Sequence, residues 1–320
     1  MSNVLKTVLV FCGLLASVGT VGAQATDGFP NRPIEMIYPY PPGSGAGNFA
    51  RAFAAEAGKE MGQPWIVLNR EGAAGVLGIT SLARAKPDGY TVSFSAATPM
   101  TSSRFVNSNV PFTNDQIEPL CEVFQNVFAI AVRRDSPIRN LEDLIARAKA
   151  APGAIAYGHA GRVSPAHLGV ARLEQAANIK LNTIPYRGDI PLLTDLMGGA
   201  VSFGAIGVNT IMGKDVRVLA VLSSKRHPAL PDVPSVAELG YPAITQGIFG
   251  LFLPAGTPRP IFNRYADVCQ KVAASPAIEA LARNTFQVMS YADAKEFKSL
   301  LDATIKEYTA IVPSLDLDKN

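Results

Sequence analysis

Short apolar or β-branched runs alternate along most of the chain with longer stretches whose apolar residues recur every three to four positions. This is the pattern of strands covered by helices. "IEMIYP" (34–39), "WIVLN" (65–69) and "YTVSFSA" (90–96) read as strands. Between them, 48–62 reads as a helix that puts Phe49 and Phe53 on one face and stops at Gly62 and Pro64. A second helical stretch over 75–89 is stopped by Pro87 and Gly89. "VFAIAV" (127–132) opens a second set, in which Asn140 caps a helix over 141–150 and Ser164-Pro165 opens another over 166–177. Strands are expected at 154–158, 181–186, 200–206 and 216–224. "GIFGLFLP" (247–254), a helical stretch over 255–275 and a long helix over 292–311 complete the series.

The simplest architecture for this order is two α/β lobes, each on a mostly parallel sheet. Lobe 1 is expected at 24–127 plus 250–320 and lobe 2 at 128–249, with "VFAIAV" and "GIFGLF" as two crossing strands. A cleft would then lie between the lobes at the carboxyl ends of their strands. Residues 1–23 form a different object: Lys6 precedes an apolar run ending in Val21, Gly22 and Ala23, the pattern of a secretory signal peptide cleaved after Ala23. The run is short for a bilayer span and broken by Gly13, Gly19 and Gly22, and Phe11 before Cys12 argues against a lipid anchor. The implied location is periplasmic.

Composition narrows the chemistry. The 320 residues are 48% hydrophobic and 17% charged, enough to bury a real core. Formal charge is +3, reduced to +2 once Lys6 leaves with the signal, and no basic run or basic-aromatic surface of a nucleic-acid binder is present. Three histidines without ligand-like spacing and no CxxC pair give no support for a metal site, and no cofactor is implied. Outside the signal, Cys121 and Cys269 remain, either as one long-range disulfide or as two buried thiols.

The sharpest local feature is "PYPPGSGAGNFAR" (39–51), a glycine-rich turn from a strand into a helix. "GSGAGN" has its third glycine at the wrong spacing for a dinucleotide fingerprint, and the second strand ends in Asn69 where a ribose-binding acid would stand. The loop has no lysine of the nucleotide-binding P-loop, and Pro42 breaks the G-x-S-x-G frame a nucleophilic Ser44 would need. What such a turn does offer is backbone N–H groups of 43–47 at the positive end of a helix dipole, which suit a carboxylate.

With "YPYPPGSGAGNFAR", "NREGAAGVLG", "KPDGYT", "IPYRGDIPLLTDLMGG", "SSKRHPALPDVPSVAELGYP" and "FGLFLPAGTP" occurring in this order, the chain resembles the Bug family of periplasmic solute-binding receptors, which serve tripartite tricarboxylate transporters. The resemblance implies a two-lobed, type II-like Venus flytrap that closes on a small organic acid without catalysis. It also implies a monomer that delivers the acid to membrane permease subunits. Carried onto this sequence, the ligand-binding candidates on lobe 1 are Tyr40, Gly43, Ser44, Gly45, Ala46, Gly47 and Thr98. On lobe 2 they are His159, Ala160, Arg162, Ser164, Arg187, Gly188 and Asp189.

The departures from the family pattern bear on the ligand. Ala46-Gly47 stands where relatives usually carry Thr-Asp, which argues against an amino-acid ligand unless Asp189, at a usual serine position, substitutes from lobe 2. In "YGHAGRVSPAHL" (157–168), His159 replaces a small hydroxyl residue and either lines the pocket or packs, while His167 reads as structural. Arg162 either pairs with a carboxylate or is a solvated surface arginine. The region of Gly188 is expected to supply further N–H donors, with Arg187 on the ligand or supporting the loop. Ile206, at an often polar position, suggests a less polar pocket and favours aromatic or larger acids. A sensory co-receptor, a secreted hydrolase using Ser44, and a relative that has lost its ligand are the competing readings.

Overall fold

The computed structural model describes residues 28–107, 109–244 and 246–315; the signal segment lies outside the described residues. Its elements in chain order are β1 (Ile34–Tyr38), α1 (Gly45–Met61), β2 (Trp65–Asn69), α2 (Val76–Ala83), β3 (Thr91–Ala96), α3 (Thr98–Thr101), β4 (Ile117–Asn126) and β5 (Phe128–Arg133). There follow α4 (Leu141–Ala150), β6 (Ala156–His159), α5 (Pro165–Ala177), β7 (Asn182–Pro185), α6 (Asp189–Gly198), β8 (Phe203–Gly207), α7 (Val208–Ile211) and β9 (Val216–Val221). The chain then forms β10 (Gly247–Pro254), α8 (Arg259–Ala273), α9 (Pro276–Asn284), β11 (Val288–Ala292) and α10 (Ala294–Ile311).

The strands form two sheets, ordered β11-β4-β10-β3-β1-β2 and β7-β6-β8-β5-β9. Both are mixed rather than mostly parallel. The β2-β1-β3 and β7-β6-β8 blocks are parallel, but β10 runs antiparallel to β3 and β4, β11 to β4, and β5 to β8 and β9. For β5 and β10 the departure has a topological cause: a strand that enters a sheet directly from the other lobe lacks the covering crossover helix that makes neighbours parallel.

The expected crossing strands are also redrawn. β5 pairs only with strands of the second sheet and β10 only with strands of the first. The crossings are Val127, which alone separates β4 from β5, and the stretch at Gln246 just before β10. The Gln246 side chain is buried between them, accepting at Oε1 from Phe128 N (3.1 Å) and donating from Nε2 to Leu222 O and Ile244 O (both 2.8 Å).

Each lobe has its own core. In the first, Phe49 and Phe53 of α1 meet Phe94, Phe124 and Phe249 of the sheet, with Phe124 stacked on Phe249 at 4.8 Å. Side chains of this size contribute about 1.5–3 kcal/mol each on burial. In the second, Tyr157 stacks on Phe203 at 5.0 Å beneath α4 and α5. The two lobes also share α10: Phe297 and Leu301 pack on lobe 1, whereas Tyr308 and Ile311 pack on Leu168 and Ala171 of α5.

β4 is absent from the sequence pattern because Pro119 and Glu122 interrupt its apolar run. Two register shifts against β10 accommodate them, one beside Pro119 and one beside Glu122. α9 and β11 were likewise not expected. Cys121 of β4 is bonded to Cys269 of α8, with Cα atoms 6.7 Å apart and a separation of 148 positions in sequence. A loop of that length corresponds to about 5 kcal/mol in the chain-entropy limit. Replacing both cysteines by serine should lower the unfolding free energy by about 2–5 kcal/mol. Reductant should lower the melting temperature of the parent protein but leave that of the double variant unmoved; equal sensitivity of the two would contradict a stabilising bond.

Candidate ligand cleft between the lobes

On lobe 1, β1 ends in Tyr38 and the chain turns at Gly43 (φ +91°), a left-handed conformation suited to glycine. Ser44 then caps α1. Its Oγ accepts from Gly47 N at 3.0 Å and hydrogen-bonds Tyr38 Oη at 2.8 Å. Gly47 N is therefore occupied, and the donor set expected over 43–47 contracts at the helix itself to Gly45 and Ala46, whose N–H groups take no acceptor among the described residues. No acid stands in the first turn of α1 to offset its dipole. Ser44 serves as cap and tyrosine partner, and its described hydrogen bonds include no histidine.

Tyr40 forms the wall beside this turn. Its ring lies edge-on to Tyr38 (5.3 Å), and its buried hydroxyl, close to Ser95 and Ala96, has no partner at hydrogen-bonding geometry. Burial raises its pKa. The hydroxyl also faces Gly75, where a Cβ would come within 3.1 Å of it and of Pro99. Gly75 ends a run of four positive φ values over Gly72, Ala73, Ala74 and Gly75, two of them on alanines, which disfavour that region. This strained turn was not foreseen, although "GAAG" was its signal. Thr98, partly exposed, opens α3 next to it.

Across from Gly45 stands Asn209 of α7, its Nδ2 3.8 Å from where a Gly45 Cβ would lie. Asn209 was not among the residues expected. Beside it is Asp189, the first residue of α6, whose Oδ2 accepts from Gly207 N and Thr210 Oγ1 (both 3.1 Å). Its backbone is partly exposed but its carboxyl is buried, and burial, opposed by those two bonds, pushes its pKa up to about 6. Gly188 (φ +128°) permits the turn into α6, and Arg187 is exposed. Where N–H donors were expected around 187–189, the cleft thus carries a carboxylate. Ile206 is fully buried among Leu192, Leu196 and Val208, so it sets core packing rather than the polarity of the cleft.

The other lobe 2 candidates cluster elsewhere. Ser164 caps α5, accepting from His167 N at 3.3 Å. His159 is buried, donates from Nδ1 to Gly161 O (2.7 Å) and stacks on His167 at 4.1 Å. His167 Nδ1 accepts from Val163 N (3.1 Å), so its proton is on Nε2. With Arg162 and Glu174, both rings line a cavity of about 380 Å³ under α5; its described lining includes none of residues 39–47. Ala160 and Arg162 are half-buried in the connecting turn. Gly45, Asp189 and Asn209 thus lie together, whereas His159 and Arg162 line the cavity under α5.

Both rings are kept neutral. Burial lowers His159 to about 3, with His167 and Arg162 adding to the effect, and burial with Arg162 lowers His167 to about 4. Both values lie below the unfolded value of about 6.5, so the folded state resists protonation and loses stability as pH falls from about 6.5 toward those values. Glu122 and Glu174, raised by burial to about 7, act with opposite sign, losing stability as pH rises from about 4.5 to 7. Urea unfolding of His159→Gln should show its stability relative to the parent climbing by up to about 1.4 kcal/mol per pH unit between pH 6 and 4. A constant difference would mean that His159 does not stay neutral.

Known proteins resemble this chain in sequence and in fold. The model of the tripartite tricarboxylate transporter family receptor (TctC) matches residues 49–317. Protein BugT of Bordetella pertussis is 31% identical over 288 residues, covering 88% of each chain. A TctC solute-binding protein from Polaromonas, solved without ligand, superposes with a TM-score of 0.76 at 28% identity, covering 90% of this chain and all of that one. A Rhodopseudomonas palustris protein solved with adipate shares the fold at a TM-score of 0.80 and 23% identity, over 89% and 97% of the two chains. The chain belongs to the TctC family, the solute-binding receptors of tripartite tricarboxylate transporters.

Proposed function

We propose that this receptor captures a small organic carboxylate between its lobes in the periplasm and delivers it, as a monomer, to the permease subunits of a tripartite tricarboxylate transporter. The observation that carries the reading is the amino terminus of α1: among the described residues the N–H groups of Gly45 and Ala46 have no acceptor, the first turn holds no acid, and the turn faces Asn209 of the other lobe. Hydrogen bonds from such groups to an anion are worth about 1.5–3 kcal/mol each, and the dipole adds about 0.3–2. The adipate seen in a protein of the same fold is an acid of this class. The two lobes move about Val127 and Gln246, and the acid drives closure only through the extra contacts the closed form gives it.

Ligand-stripped protein screened by thermal shift against di- and tricarboxylates, aromatic acids, amino acids and neutral sugars tests the reading. An acid at a hundred times its Kd adds about 2.7 kcal/mol of stability. A Cβ at Gly45 meets only Asn209 Nδ2, at ordinary contact distance, so Gly45→Val should fold with a nearly unchanged unliganded melting temperature while its bulk fills the cleft. The acid-induced shift is expected in the parent and absent from the variant; a shift that survives in Gly45→Val, or one produced only by neutral compounds, would place the ligand elsewhere.

A further inference from the structure

The lobe 2 face of the cleft carries two buried acceptors without partners among the described residues. Asp189 Oδ2 is satisfied by Gly207 N and Thr210 Oγ1, but Oδ1, equally shut off from solvent, has no partner among the described residues. Asn209 Oδ1 is buried and unpartnered as well. The two side chains converge: a Cβ on Gly207 would lie 2.5 Å from Asn209 Oδ1 and 2.8 Å from Asp189 Oδ2. A carboxylate and an amide oxygen therefore share one small volume, and neither is described in an ion pair with a cation. Buried acceptors in this state are costly until a donor arrives. The far end of the same Asn209 amide adjoins Gly45, so this side chain links the carboxylate of Asp189 to the lobe 1 turn that carries the free N–H groups of α1.

We infer that Asp189 and Asn209 receive a protonated amine, so that the solute is an amino-carboxylate held by its carboxylate on the α1 turn and by its ammonium on the two lobe 2 oxygens. This rests on the carboxylate reading above and narrows it. Counting donors separates the amine from a hydroxyl. An ammonium has three N–H donors and serves Asp189 Oδ1 and Asn209 Oδ1 at once, whereas a hydroxyl has one and leaves an acceptor unpaired. The ammonium also neutralises the buried carboxylate, which a hydroxyl does not. Ala46-Gly47 leaves lobe 1 without a carboxylate for this purpose; Asp189 provides one from the opposite lobe.

Calorimetric titration with acid pairs that differ only in the amine, succinate with aspartate and glutarate with glutamate, tests the inference at neutral pH. Malate serves as the hydroxyl comparison. In the parent protein the amino member of a pair should bind at least tenfold more tightly than its deamino partner, with malate well below aspartate. In Asp189→Asn the new amide oxygen can keep the Gly207 and Thr210 bonds while its nitrogen adds a donor, so the preference should vanish or invert. Deamino acids binding as tightly as their amino counterparts would overturn the inference while leaving the carboxylate receptor intact; Asn209 would then turn its amide to satisfy Asp189 internally. Malate equal to aspartate would overturn the amine in favour of a single hydroxyl donor. If no acid binds, the carboxylate reading fails and this inference with it. The parent comparison decides even if the variant does not fold.

Discussion

One buried amide fixes where the two lobes meet. Gln246 stands at the second crossing, yet its oxygen serves Phe128, the first residue past the first crossing, and its nitrogen serves the carbonyls of Leu222 and Ile244. An apolar side chain here would leave three backbone groups to be satisfied otherwise, a cost of about 1–3 kcal/mol for each group left buried. The rest of the geometry follows from this clamp. With both crossings tied to one side chain, the α1 turn is held opposite Asn209 of α7. His227 adds a tie behind the axis, donating from Nε2 to Phe286 O (3.2 Å).

α10 complicates a simple two-body picture. It starts on the lobe 1 core through Phe297 and ends against α5 through Tyr308 and Ile311. Rotation of the lobes must therefore slide this apolar contact or bend the helix. Packed interfaces of this kind tend to hold discrete arrangements rather than deform continuously, which gives closure a defined end state.

Much of the fold could be read from periodicity and caps. Asn140 and Ser164 sit at helix starts because their side chains accept from the N–H three residues on, and these local bonds leave a local signature, whereas the start of α1 at Gly45 lies three residues before the one expected. What escaped notice was nonlocal. β4 holds its place although Pro119 and Glu122 break its pattern, because bulges against β10 absorb them. Ile206, at an often polar position of the family pattern, is packed among apolar side chains, and His159, expected either to line the pocket or to pack, is buried against His167 beside the cavity under α5. Asn209 carried no motif at all; only its placement opposite Gly45 reveals it. Loop chemistry in the cleft was thus half legible: the lobe 1 turn through its glycines, the lobe 2 wall scarcely.

The disulfide has a further consequence through its place in the chain. Cys121 precedes the first crossing and Cys269 follows the second, so the closed covalent loop contains the whole of the second sheet. That sheet is contiguous in sequence, and its pairing partners all exist once the chain has reached Val221, whereas the first sheet needs β10 and β11 from near the end. During synthesis or export, the inserted lobe can therefore complete its own hydrogen bonding before its host does. Sealing the ring afterwards leaves it a tethered guest: a cut anywhere between the two cysteines would open the loop without letting either fragment diffuse away.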